Sequence, residues 1–384
     1  MSAPVVAQDP SAGPGDLPAV DDVALPWLLD RAPAWDRLVH EAERPRPFYA
    51  RSTLVAHAAH GSCRHLRAIV VRRGERLLAL LPYRAASTRI GLLGRANAAW
   101  TSPYTTSSDP LVAADALGPG VAGLLDGIGG TGRLWLLPQL TLESRAGLAL
   151  RQGAVARGWG AGVLDRFDRA VLGHGPRRPD GTAAAPGPPK GLGRRRRRLE
   201  ELGPVAFGVA TDGAELDAAV EAFLSLEAAG WKGRRGTALA SRPQGAALAR
   251  DLFARAGDGV SGRADILTLD GRPIAVGLSM IVGGTAHLWK AAYDESLARV
   301  APGLLLEHEI VRAFHVTAFA ERLDSAAPAG SHMDRVLSER EAVGDLLISI
   351  DPDSLPRLLG AERLRRSLAA KVKTLASRWR TWAG

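Results

Sequence analysis

The sequence predicts an α+β protein with two tandem copies of one unit, each a mixed, mostly antiparallel sheet flanked by helices. Two observations lead to this prediction. Residues 174–190 have Gly or Pro at eight of 17 positions, which excludes a helix or a central strand and predicts a linker between halves of similar length. Each half also contains two apolar runs separated by a tight turn, a pattern that predicts a β-hairpin.

The two hairpins and the elements after them repeat in the same order. Gly74 lies in the first turn, and the second turn is Asp270-Gly271, a pair that favours the positive φ angles of a two-residue hairpin loop. A strand candidate follows each hairpin, at 88–93 in the first half and 285–293 in the second, and a helix candidate follows each strand. We interpret this order as an internal repeat.

Hydrophobic periodicity and capping residues predict the remaining elements of the second half. The helices are expected at 191–202, 212–229, 244–256 and 302–319, and the strands at 205–210, 321–325 and 346–350. The predicted organisation is a disordered N-terminus (1–22), an N-terminal domain (23–173), the linker (174–190), a C-terminal domain (191–350) and a basic amphipathic helix (351–384).

Composition excludes several classes of protein. Among 384 residues, 46% of them hydrophobic, no stretch reaches the ~18 consecutive apolar residues of a membrane-spanning helix. The first 20 residues have no basic region ahead of an apolar core, so we expect no secretory signal and a cytoplasmic location. The single cysteine, Cys63, excludes a disulfide scaffold, and no metal site is expected.

The formal net charge of +9 comes from two short segments. One is the run Arg194–Arg198, and the other is the C-terminal stretch 361–384. The rest of the chain is nearly neutral, so nucleic acid is an unlikely partner. Apolar residues recur at helical spacing in the C-terminal stretch: Leu364, Leu368, Val372, Leu375, Trp379 and Trp382. This pattern is typical of a helix that lies on an anionic membrane. The alternative is that the helix packs against the body of the protein.

Two Trp-Lys pairs are unusual in this chain. Only five of the 49 basic residues are lysines, and two of these follow a tryptophan, in Trp231-Lys232 and Trp289-Lys290. A lysine kept in an arginine-rich chain suggests a need for a compact ammonium on a flexible stem. We therefore take both pairs as candidate site residues. The alternative is that both tryptophans pack in cores next to exposed lysines.

The second Trp-Lys pair leads into a polar segment and a new helix. Tyr293-Asp294 and Arg299 precede Pro302-Gly303, and Pro is well suited to the first helical position. The unbonded N–H groups at a helix start attract phosphate or pyrophosphate. This segment is therefore a candidate anion site.

The second half resembles the GNAT-type acetyltransferases of cellulose and polysaccharide biosynthesis (CelD/BcsL type), which are related to the FemAB-like acyl and aminoacyl transferases. The resemblance covers about residues 191–341. It consists of these motifs in order: Phe223-Leu224-Ser225-Leu226-Glu227, Trp231-Lys232, Gly236-Thr237, Asp270-Gly271 with Pro273-Ile274-Ala275, Trp289-Lys290, Tyr293-Asp294, Pro302-Gly303 and Asp324. The first half fits the less distinctive N-terminal copy.

This resemblance implies two GNAT-like domains and the transfer of an acyl group from acyl-CoA to an amine or hydroxyl. The expected donor is acetyl-CoA. Arg299, Pro302, Gly303 and Leu304 occupy the place of the pyrophosphate loop, with Pro302 where the family has its middle glycine. The substrate-binding candidates are Trp231, Lys232, Trp289 and Asp324.

Acyl transfer to an amine requires a base for the acceptor and an acid for the leaving thiolate. We take Glu227 or Asp294 as the base, Tyr293 as the acid and Lys290 as an electrostatic stabiliser. The alternatives are that Asp294 caps the following loop and that Glu227 lies on a solvated helix face.

The predicted function is an acyl-CoA-dependent N- or O-acyltransferase that acts on a sugar or on a polysaccharide or cell-envelope precursor. One alternative is a FemAB-like aminoacyl-tRNA-dependent transferase. Another is a non-catalytic accessory protein of a membrane-associated assembly for polysaccharide synthesis. Its basic tail would make a peripheral contact with an anionic membrane and recruit that assembly. The run Arg194–Arg198 is interpreted as a solvated helix face that contacts CoA phosphates or acidic lipid.

Overall fold

One continuous sheet runs through this computed structural model, which describes residues 17–91, 94–173, 187, 189–254 and 258–382. The strands of the first half are β1 (Ala19–Ala24), β2 (Arg67–Arg73), β3 (Arg76–Ile90), β4 (Gly94–Ala99), β5 (Leu111–Val112), β6 (Leu134–Thr141) and β7 (Gly160–Gly173). The helices of this half are α1 (Leu25–Leu29), α2 (Ala32–Glu41), α3 (Arg51–Ala59), α4 (Leu117–Thr131) and α5 (Arg145–Ala156).

The second half repeats this alternation of strands and helices. Its strands are β8 (Val205–Ala210), β9 (Ser261–Leu269), β10 (Arg272–Val282), β11 (Thr285–Tyr293), β12 (Arg322–Asp324) and β13 (Glu339–Ser349). Its helices are α6 (Leu192–Glu200), α7 (Gly213–Ala229), α8 (Trp231–Arg234), α9 (Pro243–Ala254), α10 (Pro302–Thr317) and α11 (Leu355–Trp382).

Both predicted hairpins are present. β2 pairs with β3 around Gly74 (φ 57°), and β9 pairs with β10 around Asp270 (φ 51°) and Gly271 (φ 74°). The strand predicted at 285–293 is β11. In the first half, however, residues 88–90 continue β3 and the next strand begins at Gly94, because nothing in the local apolar pattern marks where a long strand ends.

The order of the strands shows that the halves are intertwined. Within the described residues the order is β1-β2-β3-β4-β6-β13-β7-β12-β11-β10-β9-β8, with β5 beside β3. β13 lies between β6 and β7 of the first half, while β7 pairs with β12 of the second half. The sequence places β13 in the C-terminal domain, but a strand's partner depends on contacts between residues far apart, which a local pattern does not contain.

Pairing is antiparallel throughout the sheet except at two symmetric positions. β4 runs parallel to β6, and β11 runs parallel to β12. The second pairing joins all three residues of β12 to Thr285–His287, so the rest of β11 extends beyond the end of β12. The mixed, mostly antiparallel sheet with flanking helices confirms the predicted fold class.

Helices cover both faces of β10 and β11. On one face, α7 and α9 share a core with β10, which contributes Val276, Leu278 and Met280, and this core continues into the first half of the chain. On the other face, Leu306 and Ile310 of α10 pack over the strand. The end of β11 therefore lies between α7 on one side and the start of α10 on the other.

At the N-terminus the structure corrects one prediction. β1 begins at Ala19, inside the stretch 1–22 that the sequence predicts to be disordered, and pairs with β2 from Ala19 to Ala24. The predicted linker falls largely outside the described residues, which omit 174–186 and 188.

Two features are absent from the part of the chain that the structure describes. Its helices include none with both the length and the apolar character needed to cross a membrane. It also contains no group of three or more His, Cys, Asp or Glu side chains arranged to hold a metal ion.

Candidate active site

A β-bulge in β11 turns Trp289 and Lys290 towards α7. Leu278 of β10 lies opposite Lys290, and the next residue, Ser279, lies opposite Leu288, so Trp289 is the extra residue of the bulge. Bulges re-aim side chains locally. Here Trp289 enters the core shared with α7, and Lys290 reaches the carboxylate of Glu227.

Glu227, near the end of α7, lies between the two predicted lysines. Its Oε1 accepts a hydrogen bond from Lys232 Nζ at 2.9 Å and lies 3.7 Å from Lys290 Nζ. Its Oε2 accepts a hydrogen bond from the backbone N–H of Leu239 at 2.7 Å. The Glu227 side chain is only 1% exposed, so it does not lie on a solvated helix face. The two Trp-Lys pairs therefore meet at one buried carboxylate.

Lys290 is poised to lose its proton more readily than an ordinary lysine. Burial, and then the charge of Lys232, lower the pKa of Lys290, although Glu227 acts in the opposite direction. The Lys290 side chain is still 21% exposed. A lysine with a lowered pKa has a larger fraction in the neutral form, which accepts protons.

Tyr104 of the first half completes the cluster. Lys290 Nζ lies 5.5 Å from the centre of the Tyr104 ring, and Trp289 Nε1 donates a hydrogen bond to the Tyr104 carbonyl oxygen at 3.1 Å. The sequence pattern did not single out Tyr104. A signal was present in the internal repeat, because Tyr104 follows β4 just as the predicted anion-binding segment follows β11.

A surface depression joins the Glu227 cluster to the end of β11. Trp231, Lys232, Tyr293 and Glu295 line this depression together with Glu227. The backbone N–H of Trp231 donates to Glu295 Oε1 at 2.6 Å, and the Trp231 side chain is 47% exposed. An aromatic face and the ammonium group of Lys232 are thus available to a molecule that enters from solvent.

Tyr293 also contacts the start of α10. A Cβ atom on Gly303 would lie 3.1 Å from Tyr293 Cδ1, so the lack of a side chain there allows the ring to pack closely. Pro302 is the first residue of α10, and the N–H groups of Gly303 and Leu304 in its first turn have no intrahelical acceptor. Arg299 is exposed on the preceding 3₁₀ turn. The four predicted cofactor-binding residues therefore lie together, next to Tyr293.

Asp294 has the capping role that the sequence analysis gave as the alternative to a base. Its Oδ1 accepts hydrogen bonds from the backbone N–H of Ser296 at 3.0 Å and from its hydroxyl at 2.6 Å, and Arg272 pairs with Oδ2 at 3.0 Å. The hydrogen bond from the Ser296 hydroxyl is the main cause that lowers the pKa of Asp294. Asp294 therefore caps the turn before α10, and its low pKa makes it a poor base.

Asp324, a predicted substrate-binding residue, is buried between the two halves. Its Oδ2 lies 3.2 Å from Arg46 Nη1, 3.8 Å from Arg169 Nη1 and 3.6 Å from His287 Nδ1. Burial would raise the pKa of Asp324, but Arg169, His287 and Arg46 together hold it well below its usual range. We call Arg46, Asp109, Arg169, His287 and Asp324 the central ionic network. Pairing of β12 with β7 places Asp324 there, out of reach of a substrate.

Residues 190–325 match the model of a family described as an acetyltransferase (GNAT) domain. This part of the chain is therefore similar to a GNAT acetyltransferase domain, and the predicted enzyme class, an acyltransferase, is confirmed. No curated protein matches the whole sequence significantly.

Solved structures resemble nearly the whole chain. The C-terminal domain of a putative lysylphosphatidylglycerol synthetase from Agrobacterium fabrum is 12% identical, with a TM-score of 0.53 over 86% of this chain and 95% of that chain. FemX is 8% identical, with a TM-score of 0.53 over 88% of this chain and 99% of its own. A conserved protein of unknown function from Bacteroides thetaiotaomicron VPI-5482 is 12% identical, with a TM-score of 0.52 over 87% and 100%. At such low identity these likenesses establish the fold alone.

Proposed function

We propose that this chain is an acyl-CoA-dependent acyltransferase whose acceptor is an amine or hydroxyl of a sugar or of a polysaccharide or cell-envelope precursor. The observation that carries the proposal is the buried Glu227 between Lys232 and Lys290. Glu227 and Lys232 line a depression together with Tyr293, whose ring packs against Gly303 at the start of α10. The exposed ring of Trp231 favours a sugar acceptor, because an aromatic face is an apolar platform for the C–H face of a sugar ring. The resemblance to the CelD/BcsL type supports the same class of acceptor.

In the proposed reaction, the acceptor nitrogen or oxygen attacks the thioester carbonyl carbon and forms a C–N or C–O bond. Lys290, as the neutral amine, takes the proton that the acceptor loses, and the resulting ammonium stabilises the tetrahedral oxyanion. The C–S bond then breaks, and the thiolate takes the proton of the Tyr293 hydroxyl. Solvent carries the proton from Lys290 back to Tyr293, so the products are the acylated acceptor and the free thiol.

Glu227 acts in this mechanism as a positioning residue. Both of its oxygens are already engaged, one by Lys232 Nζ and one by the N–H of Leu239, and its side chain is almost fully buried at the base of the depression. It holds the ammonium groups of Lys232 and Lys290 near each other. We therefore assign the proton of the acceptor to Lys290 in place of Glu227 or Asp294, the two bases predicted from the sequence.

Calorimetry with acetyl-CoA and CoA tests the proposed function. We expect saturable binding of one donor per chain with a micromolar Kd, in the range of ~1 μM to 1 mM typical of enzyme substrates. Absence of binding would contradict the proposal and favour the accessory-protein alternative. Turnover that requires an aminoacyl-tRNA would instead favour the FemAB-like alternative. The fold shared with FemX is compatible with that alternative.

We also propose that the distal part of α11 contacts an anionic membrane. The first turns of α11 are docked, because Leu355 is buried and Glu362 accepts hydrogen bonds from the N–H of Gly91 and from two arginines of the helix. Leu364 and Leu368, one turn apart, are 62% and 54% exposed. A basic helix with an exposed apolar stripe is typical of an interfacial helix.

Liposome flotation tests the membrane contact. We expect the full chain to float with vesicles that contain phosphatidylglycerol and not with vesicles of phosphatidylcholine alone, because anionic lipid attracts the basic residues of α11. A chain that ends at Ser367 keeps the docked turns and is expected to stay in the dense fraction. Equal flotation of the two chains would rule out the contact through the distal part of α11.

A further inference from the structure

Strands β1 and β8 form the two ends of the sheet, and they differ in how their free edges are protected. Within the described part of the chain, each pairs with one neighbour only, β1 with β2 and β8 with β9. In β1, Asp21 pairs with Arg72 at 2.6 Å and Asp22 with Arg67 at 2.9 Å, and charged side chains on an edge strand discourage pairing with a further strand. The sequence of β8, Val-Ala-Phe-Gly-Val-Ala, contains no charged residue and no proline. The edge of β8 therefore lacks the protection that β1 has.

The hydrogen bonds of β8 show which of its backbone groups face the free edge. Its six residues pair with β9 in register and without a bulge, so the direction of the N–H and C=O groups alternates from one residue to the next. The carbonyl oxygen of Pro204 accepts a hydrogen bond from the N–H of Asp270, just after β9, and that of Ala206 accepts one from the hydroxyl of Thr268. The even-numbered residues therefore face β9. The residues whose N–H and C=O groups point to the free edge are Val205, Phe207 and Val209.

The side chains of β8 suit pairing with an identical strand. Val205, Phe207 and Val209 share one face of the sheet, where the first two pack against the apolar cluster of α10 and Val209 is 41% exposed. Ala206 and Gly208 are exposed on the other face. A two-fold axis at Phe207, perpendicular to the sheet, places Val205 opposite Val209 of the partner subunit and Ala206 opposite Gly208 of the partner subunit. Branched and aromatic residues then meet on one face and small residues on the other, and no charge faces its own copy.

We propose that β8 pairs in antiparallel orientation with β8 of a second copy of this chain, which joins the sheets of the two subunits edge to edge. In this register the three outward-facing residues of each strand form hydrogen-bonded pairs, which supply about six backbone hydrogen bonds. One pair of strands is smaller than a standard interface of about 1,200–2,000 Å². We therefore expect a reversible dimer with a Kd of about 1–100 μM. This inference does not depend on the identity of the acyl donor or acceptor.

Sedimentation velocity of the full chain, at concentrations below and above this Kd, tests the dimer. We expect the wild type to change from monomer to dimer as its concentration rises. Val209→Pro should remain a monomer, because it removes an N–H that points to the free edge and leaves the hydrogen bonds to β9 intact. Val209→Thr keeps that N–H and a branched side chain, so it is the matched control and should dimerise like the wild type. A wild type that is monomeric at every concentration, or equal dimerisation of Val209→Pro and the wild type, would overturn the proposal.

Thermal unfolding followed by circular dichroism separates loss of pairing from loss of the fold. At a concentration where the wild type is monomeric, Val209→Pro should melt close to the wild type, since the position lies on the free side of the strand. If Val209→Pro does not fold, Val209→Lys decides the question, because a lysine on an edge strand opposes pairing without a change in the backbone. Dimerisation of a folded Val209→Lys variant with the affinity of the wild type would overturn the proposal.

A cysteine on the two-fold axis tests the register. Phe207 is the residue of β8 that lies opposite its own copy, with the two Cα atoms about 5.5 Å apart, a separation that a disulfide can span. Phe207→Cys is therefore expected to form covalent dimers on mild oxidation. Val205→Cys, whose copies lie roughly 13 Å apart along the strands, is the matched control and should not, and the native Cys63 is buried. Covalent dimers of Val205→Cys alone, or of neither variant, would overturn the pairing around Phe207.

Discussion

Lys290→Met is expected to lower kcat/KM for acyl transfer by about 10²- to 10⁴-fold, the contribution of a positioned general base. Methionine keeps the length and apolar stem of the side chain next to Tyr104 but cannot take the proton of the acceptor. The measurement is the release of thiol from acetyl-CoA in the presence of an acceptor. Lys371→Met, at an exposed position on α11, is the matched control, and equal activity of the two variants would exclude Lys290 from the reaction.

The pH dependence of activity identifies the titrating group. Because Lys290 must be neutral, kcat/KM should rise with pH through the lowered pKa of Lys290. Glu227 raises that pKa and Lys232 lowers it. Glu227→Gln should therefore shift the profile to lower pH, and Lys232→Met should shift it to higher pH. Shifts in the same direction, or no shift in either variant, would show that Lys290 does not limit the rate. A merely structural role of Glu227 would not displace the profile.

Arg46→Met is expected to reduce the free energy of unfolding by about 3–5 kcal/mol, the usual effect of removing one partner from a buried ion pair. Arg46 Nε and Nη2 donate to Asp109 Oδ2 at 2.9 and 2.6 Å, and Nη1 donates to Asp324 Oδ2 at 3.2 Å. Burial would lower the pKa of Arg46, but the carboxylates of Asp109, Asp324 and Glu341 raise it above its ordinary value. Without Arg46, the buried carboxylate of Asp109 loses its main partner and that of Asp324 loses one of its two arginines.

Urea unfolding followed by circular dichroism measures this loss. Arg76→Met is the matched control, since Arg76 forms more exposed ion pairs with Glu41 and Asp115, each at 2.8 Å, and such pairs contribute about 0–1 kcal/mol. Arg46→Lys, which keeps one charge, should lose less stability than Arg46→Met. Similar losses in Arg46→Met and Arg76→Met would contradict the importance assigned to the central ionic network.

Acid should weaken the same network. Against the effect of burial, Arg46 and then Arg44 hold the pKa of Asp109 below its usual value, and the pKa of Asp324 is also low. Carboxyl groups with a lowered pKa in the folded state contribute their stability fully above the unfolded pKa of about 3.9 and lose it as the pH falls further. The stability of the wild type should therefore decline below about pH 4, and that of Arg46→Met less steeply.

The elements that depend on neighbours in the sequence were predictable. Asp270-Gly271 forms the expected hairpin turn, and β8 and β11 have the predicted bounds, because turn chemistry and strand length are local properties. The Trp-Lys pairs also proved informative, since their lysines meet at Glu227. The two Trp-Lys pairs could be recognised because lysine is rare in this chain.

The features that depend on distant contacts were not predictable. Asp294 and Glu227 look alike as isolated carboxylates, and only burial and partners separate a turn cap from the centre of the site. Asp324 ends the short strand β12, and its burial follows from the pairing of β12 with β7. Tyr104 reaches the site because the two halves share one core. No pattern within the second half alone contains that information.

The last strand of each half, β7 or β13, pairs with a strand of the other half. We therefore expect that the chain cannot be divided at its Pro/Gly-rich stretch into two stable proteins. A fragment that ends near residue 173 would lack β13, the strand that joins β6 to β7. A fragment of residues 190–325, the part that matches the acetyltransferase model, would leave β12 without β7. Each would expose a row of unpaired backbone groups that invites aggregation. We therefore expect a stable fold to require both halves in one chain.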